Sequence, residues 1–339
     1  MRSSAEIPNS LGAMAGAALV IGAQGVLGAF ISRGLAAEGW NVRRGGRRPE
    51  FVPDFTLVDL NRPGTVERAI DEADLVVSCV PDDRLVAERI ALGAGATLLN
   101  ISSLRLAARR EMEERRGDGP GLVVIHGGLT PGVTTLVFKE LLARFPEADG
   151  LEYAWASSAA QSSGRAGAAL VANQLGTRRR REVKTVDFPD PIGRRRCIEW
   201  GRGEEGWFGA YPARYDCRAW FFLGPSPVMA AIRALNRIGG LGLLKPRLLA
   251  IGHSRIPRSP SAEPKRDLMA VTRRGRQLGA YAMNGEGDYA TTVAATLALI
   301  EALMQDGPGP SGVHGVDDLF ELKDLLPGLE RRGVSFVEL

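Results

Sequence analysis

Gly22, Gly25 and Gly28 stand three residues apart in the stretch Val20-Ile21-Gly22-Ala23-Gln24-Gly25-Val26-Leu27-Gly28, and glycines so spaced can let a backbone close around a phosphate. A glycine triplet alone is weak evidence, so its flanks must carry the inference. Ala17 to Ile21 is a short apolar run suited to a buried parallel strand, and Val26, Leu27, Phe30, Ile31 and Leu35 then recur at helical spacing. Strand, glycine turn and helix in that order make the pyrophosphate cradle of a dinucleotide fold. Gly22 would make the turn, Gly25 would let the backbone approach, and Gly28 would let the helix pack on the strand. Ala23, Gln24, Val26 and Leu27 complete the loop.

The spacing is G-x-x-G-x-x-G and not the commoner G-x-G-x-x-G, so a second feature has to choose the cofactor. An NAD site wants a carboxylate about 20 residues further on, against the ribose 2′-hydroxyl. In "GWNVRRGGRRPE" there is none between Glu38 and Glu50. Arg47, and after it Arg48, present forked cationic donors that suit a 2′-phosphate. NADP(H) is the expected cofactor.

Around this loop the chain alternates as a doubly wound sheet requires. Apolar runs at 40–44, 55–60, 74–81, 97–102 and 121–128 follow the first strand, with helical stretches between them, one of them opened by Pro63. A Rossmann unit of six strands is predicted. Asp59, Leu60, Cys79, Val80 and Pro81 then lie at carboxyl ends of strands, where the adenine half and the nicotinamide ribose would pass. Cys79 reads as a small core hydrophobe and not as a nucleophile.

Four stretches, "GAQGVLG", "GGRRPE", "ADLVVSCVP" and above all "HGGLTPGVTTLVFKELL" (126–142), resemble the saccharopine dehydrogenase-like family of NAD(P)-dependent oxidoreductases, which includes homospermidine and carboxynorspermidine synthases. The closing stretch 287–336 resembles the same family's tail. The resemblance implies an α/β Rossmann domain with a doubly wound parallel sheet, an inserted α/β substrate domain and C-terminal helices returning to the Rossmann domain. Residues 1–16 are expected as a flexible tail, 17–145 with 286–339 as the NADP-binding domain, and 146–285 as the substrate and dimerisation domain. It also implies a homodimer through the sheet of the inserted domain. In the G-L-x-P-G segment Pro131 would stiffen the turn and Gly132 permit close backbone approach. Thr134 and Thr135 are expected to cap the helix that follows, whose open N–H groups would face the nicotinamide end.

Hydride transfer needs an acceptor held against the nicotinamide and a source of a proton. His126 is the first candidate, since it ends the sixth strand and its ordinary pKa lies near neutrality. His253 lies in a loop or strand end of the expected substrate domain, and His314 reads as structural. Tyr153, Tyr211 and Lys245 could also donate protons, and each is more often a packing or surface residue. Thr130, Tyr153, Arg214 and Arg218 are the substrate candidates, the arginines as clamps for carboxylates, with Arg165 nearby. No Tyr-x-x-x-Lys pair follows the loop, which disfavours the short-chain dehydrogenases. Reduction of a C=N bond formed from an amine and a carbonyl is the reaction the resemblance implies, on an amino-acid-derived or secondary-metabolite substrate. An enoyl reductase and a nonenzymatic NADP(H)-binding regulator are the alternatives.

Composition bounds these readings. The 339 residues, 45% hydrophobic, can bury a large core divided between two domains. Net charge is +4, yet only five of the 43 basic residues are lysine, so the arginine excess is compositional. The clusters 178–181 and 194–196 lack interleaved aromatics and read as solvated loops, not as a nucleic-acid groove. Cys79, Cys197 and Cys217 are too few for a disulfide framework and form no metal-binding spacing, which suits a reducing, cytoplasmic setting. No run reaches the roughly 18 apolar residues of a membrane span.

Overall fold

Short apolar runs bounded by turn residues become the buried strands of a parallel sheet. The computed structural model describes residues 16–102, 104, 106–158, 165–206, 208–224, 226–243, 264–305 and 309–339. Lys245, His253 and nearly all of the expected N-terminal tail lie outside them.

Six strands, β1 (Ala17–Ile21), β2 (Asn41–Gly46), β3 (Phe55–Leu57), β4 (Leu75–Ser78), β5 (Thr97–Asn100) and β6 (Leu122–Ile125), pair in parallel in the order β6-β5-β4-β1-β2-β3. Helices α1 (Val26–Ala37), α2 (Pro63–Ile70), α3 (Val86–Ala94) and α4 (Leu106–Glu114) make the crossovers. Successive side chains leave opposite faces of a strand, so Leu19, Ile21, Val76, Leu98 and Val123 build one core while Ala18, Val20, Val77, Leu99 and Val124 build another. Because both faces are covered, these strands read as continuous apolar runs. The strand order reverses between β4 and β1, which places a ligand crevice at their carboxyl ends.

Helix α5 (Val133–Arg144) leads into a second, mixed sheet. Its strands are β7 (Gly150–Ser158), β8 (Val183–Asp187), β9 (Arg194–Arg202), β10 (Asp216–Gly224), β11 (Pro264–Arg273) and β12 (Arg276–Glu286), joined by β14 (Ser335–Glu338) in the order β14-β12-β11-β7-β10-β9-β8. Helices α6 (Arg165–Gly176) and α7 (Ser226–Arg237) lie between its strands in sequence. The inner face of this sheet carries Trp155, Trp200 and Phe221, whose rings meet at centroid distances of 5.0 to 5.2 Å. They belong to the same core as Val20 and Phe138, so one apolar mass runs from the first sheet through α5 into the second.

After β12 the chain returns as α8 (Asp288–Gln305), β13 (Gly312–Gly315), α9 (Val316–Leu319) and α10 (Leu322–Arg331). Gly34 of α1 lets α8 approach so closely that a Cβ there would stand 2.8 Å from Leu297. Arg332 ties the return down, reaching Glu38 at the end of α1 with Nε at 2.9 Å and Glu301 of α8 with Nη1 at 2.8 Å. Two features differ from the sequence expectation. Residues 312–315 form a seventh parallel strand on β6, and the final strand β14 leaves the first sheet to pair with β12. Each is only four residues long and carries too few apolar side chains to announce a strand.

The arginine clusters are solvated loop only in part: residues 178–181 lie between α6 and β8 with Arg179 and Arg180 exposed, but not every arginine is free in solvent. Arg194 to Arg196 open β9, and Arg181 is buried, its guanidinium donating to the carbonyls of Leu175, Glu199 and Trp200 at 3.3, 3.2 and 2.7 Å. A guanidinium with five fixed donors can be buried where backbone carbonyls converge on it. Among the described residues no helix is long and apolar enough to cross a membrane, and no cluster of potential metal ligands occurs.

Candidate functional site

The glycine loop has the geometry that each glycine would be needed for. Gly22 sits at φ +85°, where a side chain is strained, and a Cβ there would meet Val80 at 2.5 Å. On Gly28 a Cβ would stand 2.3 Å from the carbonyl oxygen of Gly22, so only glycine lets α1 pack on the turn. Gly25 caps α1 in an extended conformation with no side-chain bond, and its N–H donates to Gly22 O at 2.9 Å. The N–H groups of Val26, Leu27 and Gly28 have no acceptor among the described residues, which leaves them and the positive helix end for an anion. Val26 is 48% exposed, Leu27 half-buried and Ala23 fully buried behind the loop.

A cleft of about 480 Å³ opens beside this loop. It brings together Gly22, Gln24, Arg47, Asp59, Leu60, Val80 and Pro81 from the sequence reading, and adds Asn61, Asp82 and Arg84. Gln24 does more than line it: its amide donates to the Arg48 carbonyl at 2.7 Å and to Glu50 at 2.9 Å, clasping the loop that carries Arg47. Gly46 lies directly beneath it: a Cβ there would fall 2.6 Å from the Gln24 amide and push that side chain out of its clasp. Arg48 is exposed and lies off the cleft lining, held by its backbone, so of the two arginines only Arg47 faces the pocket. Cys79 also lies off the lining; its backbone abuts Gly22, and burial pushes its thiol up to about 12, which makes it inert.

Beyond the switch point the chain after β6 forms a tight loop. Gly132, at φ +136°, brings its α-carbon so near the carbonyls of Gly128 and His126 that a Cβ would stand 2.1 and 2.3 Å from them. The N–H groups of Val133, Thr134 and Thr135 bond to Gly128 O, Leu129 O and Gly132 O at 3.2, 3.1 and 2.9 Å. The expected open donors are therefore spent within the loop, and Thr134 and Thr135 are buried without capping the helix; Thr135 Oγ1 instead donates to Gly132 O. Pro131 in this loop is half-buried.

His126 takes a left-handed conformation at φ +63°. Burial, with the Arg109 guanidinium adding to it and Asp318 opposing, lowers its pKa to about 3, so the ring is neutral across the working range. Thr130 and Tyr153 do meet, Oγ1 to Oη at 2.9 Å, and Tyr153 donates to Asp267 Oδ2 at 2.7 Å. Behind them Lys265 lies 3.1 Å from Asp267 and 2.7 Å from Asp288. Burial opposes charge in this group, yet Asp267 and Asp288 hold the Lys265 ammonium above its usual range. Lys265, Asp267 and Asp288 were not signalled by the sequence.

Arg218 is not part of this cluster. It pairs in register with Arg202 and with Glu152, one residue from the Ala219–Tyr153 pair, and so leaves the opposite face of the sheet, where it binds Asp216 and Glu182 at 3.1 and 3.3 Å. Arg214 is exposed beyond the short turn Tyr211–Ala213. Tyr211 donates to Thr135 O at 3.2 Å, and His314, in β13, contacts Ser311 O at 3.0 Å.

A second buried group sits at the end of β5. Asn100 donates to Glu88 Oε1 at 2.6 Å and accepts from the Ser102 N–H and hydroxyl, each at 2.7 Å, while Glu88 Oε2 is buried without a partner. Burial raises the Glu88 carboxyl from 4.5 to about 7. The folded chain therefore binds more protons than the unfolded one between these values, and this stabilisation, complete below the unfolded pKa, disappears as pH rises through the folded one. Glu88→Gln should gain stability over the unchanged chain by roughly 3 kcal/mol between pH 4 and pH 8, at about 1.4 kcal/mol per pKa unit. Melting curves across that range that stay parallel would remove the assignment.

No protein-family model and no curated protein matches the chain. Among solved structures it is similar to saccharopine dehydrogenase (L-Glu forming) from Saccharomyces cerevisiae, at 11% identity and a TM-score of 0.65 over 96% of this chain and 100% of that one. A substituted meso-dapdh from Clostridium tetani gives 12% identity and a TM-score of 0.49 over 92% and 96% of the two chains. An oxidoreductase from Sinorhizobium meliloti gives 10% and 0.41 over 95% and 98%. The glycine loop, the cleft beside it and the buried cluster beyond β6 are thus carried on the fold of saccharopine dehydrogenase, a Rossmann domain with a second, mixed sheet inserted and C-terminal helices returning to it.

Proposed function

We propose that the chain is an NADPH-dependent oxidoreductase of saccharopine dehydrogenase type that reduces a C=N bond formed from an amine and a carbonyl. One observation carries the cofactor: the exposed Arg47 shares a cleft at the topological switch point with Gly22 and Gln24 of the glycine loop, and that loop leads directly into α1, whose first N–H groups have no acceptor among the described residues. The pyrophosphate would sit on Gly22, Gly25 and Gly28, the 2′-phosphate on Arg47, and the adenine ribose near Asp59 and Leu60. Val80 and Pro81 would flank the nicotinamide ribose, and the loop from His126 to Gly132 would close the nicotinamide end. The cofactor supplies the hydride; the protein orients it and the acceptor. The resemblance to saccharopine dehydrogenase favours C=N over C=C or C=O as the acceptor. Fluorescence titration with NADPH and NADH tests the cofactor. NADPH consumption at 340 nm with amine and carbonyl pairs tests the reaction, and no binding of either nucleotide would end the reading.

The homodimer would form through the outer face of the second sheet. That face carries Trp220, Leu268 and Ala270 beside the Glu152–Lys184 ion pair and a depression of about 790 Å³. Light scattering should give twice the chain mass, and Ala270→Arg should halve it. A monomer at micromolar concentration would exclude the arrangement.

A further inference from the structure

We propose that the proton accompanying the hydride reaches the substrate through a buried relay running from Asp288 through Lys265, Asp267 and Tyr153 to the hydroxyl of Thr130; this rests on the reductase reading above.

Four separate segments converge to build it: the loop after β6 supplies Thr130, β7 supplies Tyr153, β11 supplies Lys265 and Asp267, and the first turn of α8 supplies Asp288. Lys265 and Asp267 are two residues apart on one strand and so share its inner face. Three contacts are hydrogen bonds, 2.7 Å from Lys265 to Asp288, 2.7 Å from Tyr153 to Asp267 Oδ2 and 2.9 Å between Tyr153 and Thr130; the fourth is an ion pair, Lys265 standing 3.1 Å from Asp267 Oδ1, an oxygen that accepts no hydrogen bond among the described residues and that a small rotation of the ammonium brings into line. The middle is sealed, with Asp267 at 0% and Tyr153 at 3% exposure, while both ends are open to their surroundings, Asp288 at 23% and Thr130 half-buried. Thr130 is the end that would meet the nicotinamide in the proposed function. It follows β6 at the carboxyl edge of the parallel sheet, and Gly128 beside it packs near Ile101 after β5 and Thr292 of α8.

A buried ion pair contributes little net stability against an apolar alternative, so a charged cluster that also orders two hydroxyls calls for another role. In the resting arrangement Tyr153 donates to Asp267, which leaves Thr130 as donor to Tyr153. Turning both hydroxyls outward points Tyr153 at Thr130 and Thr130 at the substrate. A bound reduced nicotinamide would supply the hydride for the new C–H bond as the C=N π pair moves to nitrogen. Nitrogen takes the Thr130 proton and Thr130 takes that of Tyr153; the Lys265 ammonium gives a proton to the Asp267 carboxylate, and the carboxylic acid so formed turns about Cβ–Cγ and returns that proton to Tyr153. A neutral imine that takes one hydride and one proton gives a neutral amine, so the charge Lys265 loses would equal the charge the oxidised nicotinamide gains, and the net charge of the site is conserved. Water then recharges Lys265 past Asp288.

The test uses the full chain with NADPH and three defined probes, 2-methyl-1-pyrroline, pyruvate with methylamine, and glyoxylate with methylamine. Tyr153→Phe and Thr130→Val should each lower kcat about 100-fold or more, leaving KM and NADPH affinity within a few-fold. In heavy water the unchanged chain should show a solvent isotope effect on kcat with a curved proton inventory, and Thr130→Val should abolish the curvature. Thr130 is partly exposed and valine has its shape, so that variant remains informative if Tyr153→Phe folds poorly. A purely structural role would alter stability without touching the isotope effect. Variants that keep kcat and the isotope effect, or their loss in His126→Gln while Thr130→Val retains them, would overturn the relay and leave the reductase standing. Failure of the unchanged chain to oxidise NADPH with all three probes would remove the C=N reading, and the relay with it.

Discussion

Gly28→Ala should weaken NADPH binding by about 100-fold or more, the largest effect expected of a single methyl group in this chain. The added Cβ would lie 2.3 Å from the carbonyl oxygen of Gly22 and 2.8 Å from its carbon, both backbone atoms that no rotamer can move. Relief requires α1 to lift off the turn by about an ångström, and a displacement of that size in a positioned group costs on the order of 100-fold. The N–H groups of Val26 and Leu27, which have no acceptor among the described residues, would move with the helix and lose the aim at a pyrophosphate that the proposed function gives them. Gly93→Ala provides the control. It lies inside α3 with nothing within 4 Å of the new Cβ, and should raise stability by roughly 0.5–1 kcal/mol without changing affinity. Isothermal titration of both variants reads the contrast. Equal NADPH affinity in Gly28→Ala and the unchanged chain would mean that the loop is architecture and holds no phosphate.

The glycine loop was legible in the sequence because its constraints are local: a turn at positive φ and a close helix contact each demand glycine, and strand and helix flank them within a few residues. The cluster around Tyr153 was not, because its partners are distant in the chain. Tyr153 and Asp267 are 114 residues apart, and "PKRDLMAV" looks like any charged strand entrance. Nothing local says that Lys265 and Asp267 point inward. Arg218 shows the same limit from the other side. Its strand was identified, but only the pairing of β10 with β7 reveals that it leaves the face opposite Tyr153. The β8–β9 hairpin was hidden by its own composition, since arginines on exposed strand positions look like loop. The turn after β6 was recognised, while its N–H groups were misjudged. Whether a helix start is open or closed depends on where the preceding carbonyls fold back, and a residue pattern does not carry that.

Arg47→Ala should weaken NADPH binding by roughly 10- to 150-fold and leave NADH unchanged, because one charge-assisted contact to a phosphate is worth roughly 1.5–3 kcal/mol. The choice of this arginine rests on elimination among its neighbours. Arg43 is bound to Glu72 at 2.8 Å, and Arg44 to Glu50 at 3.0 Å with Asp54 at 3.9 Å. Arg48 stands off the cleft, its backbone clasped by Gln24. Arg84 does face the cleft, yet Asp82 and Asn61 hold its guanidinium at 3.0 and 3.1 Å. Arg47 alone among these faces the cleft without an ion pair among the described residues, and an unpaired cation binds a dianion without first breaking a bond. Its effect should also fade with salt, since the contact is exposed, and a tenfold rise in ionic strength should narrow the gap between variant and unchanged chain. Unchanged NADPH affinity in Arg47→Ala with a loss in Arg84→Ala would move the 2′-phosphate across the cleft to the Asp82 side. An equal loss of NADPH and NADH affinity would instead make Arg47 a ligand of the part the two cofactors share, and the preference for NADP(H) would have no residue left to carry it.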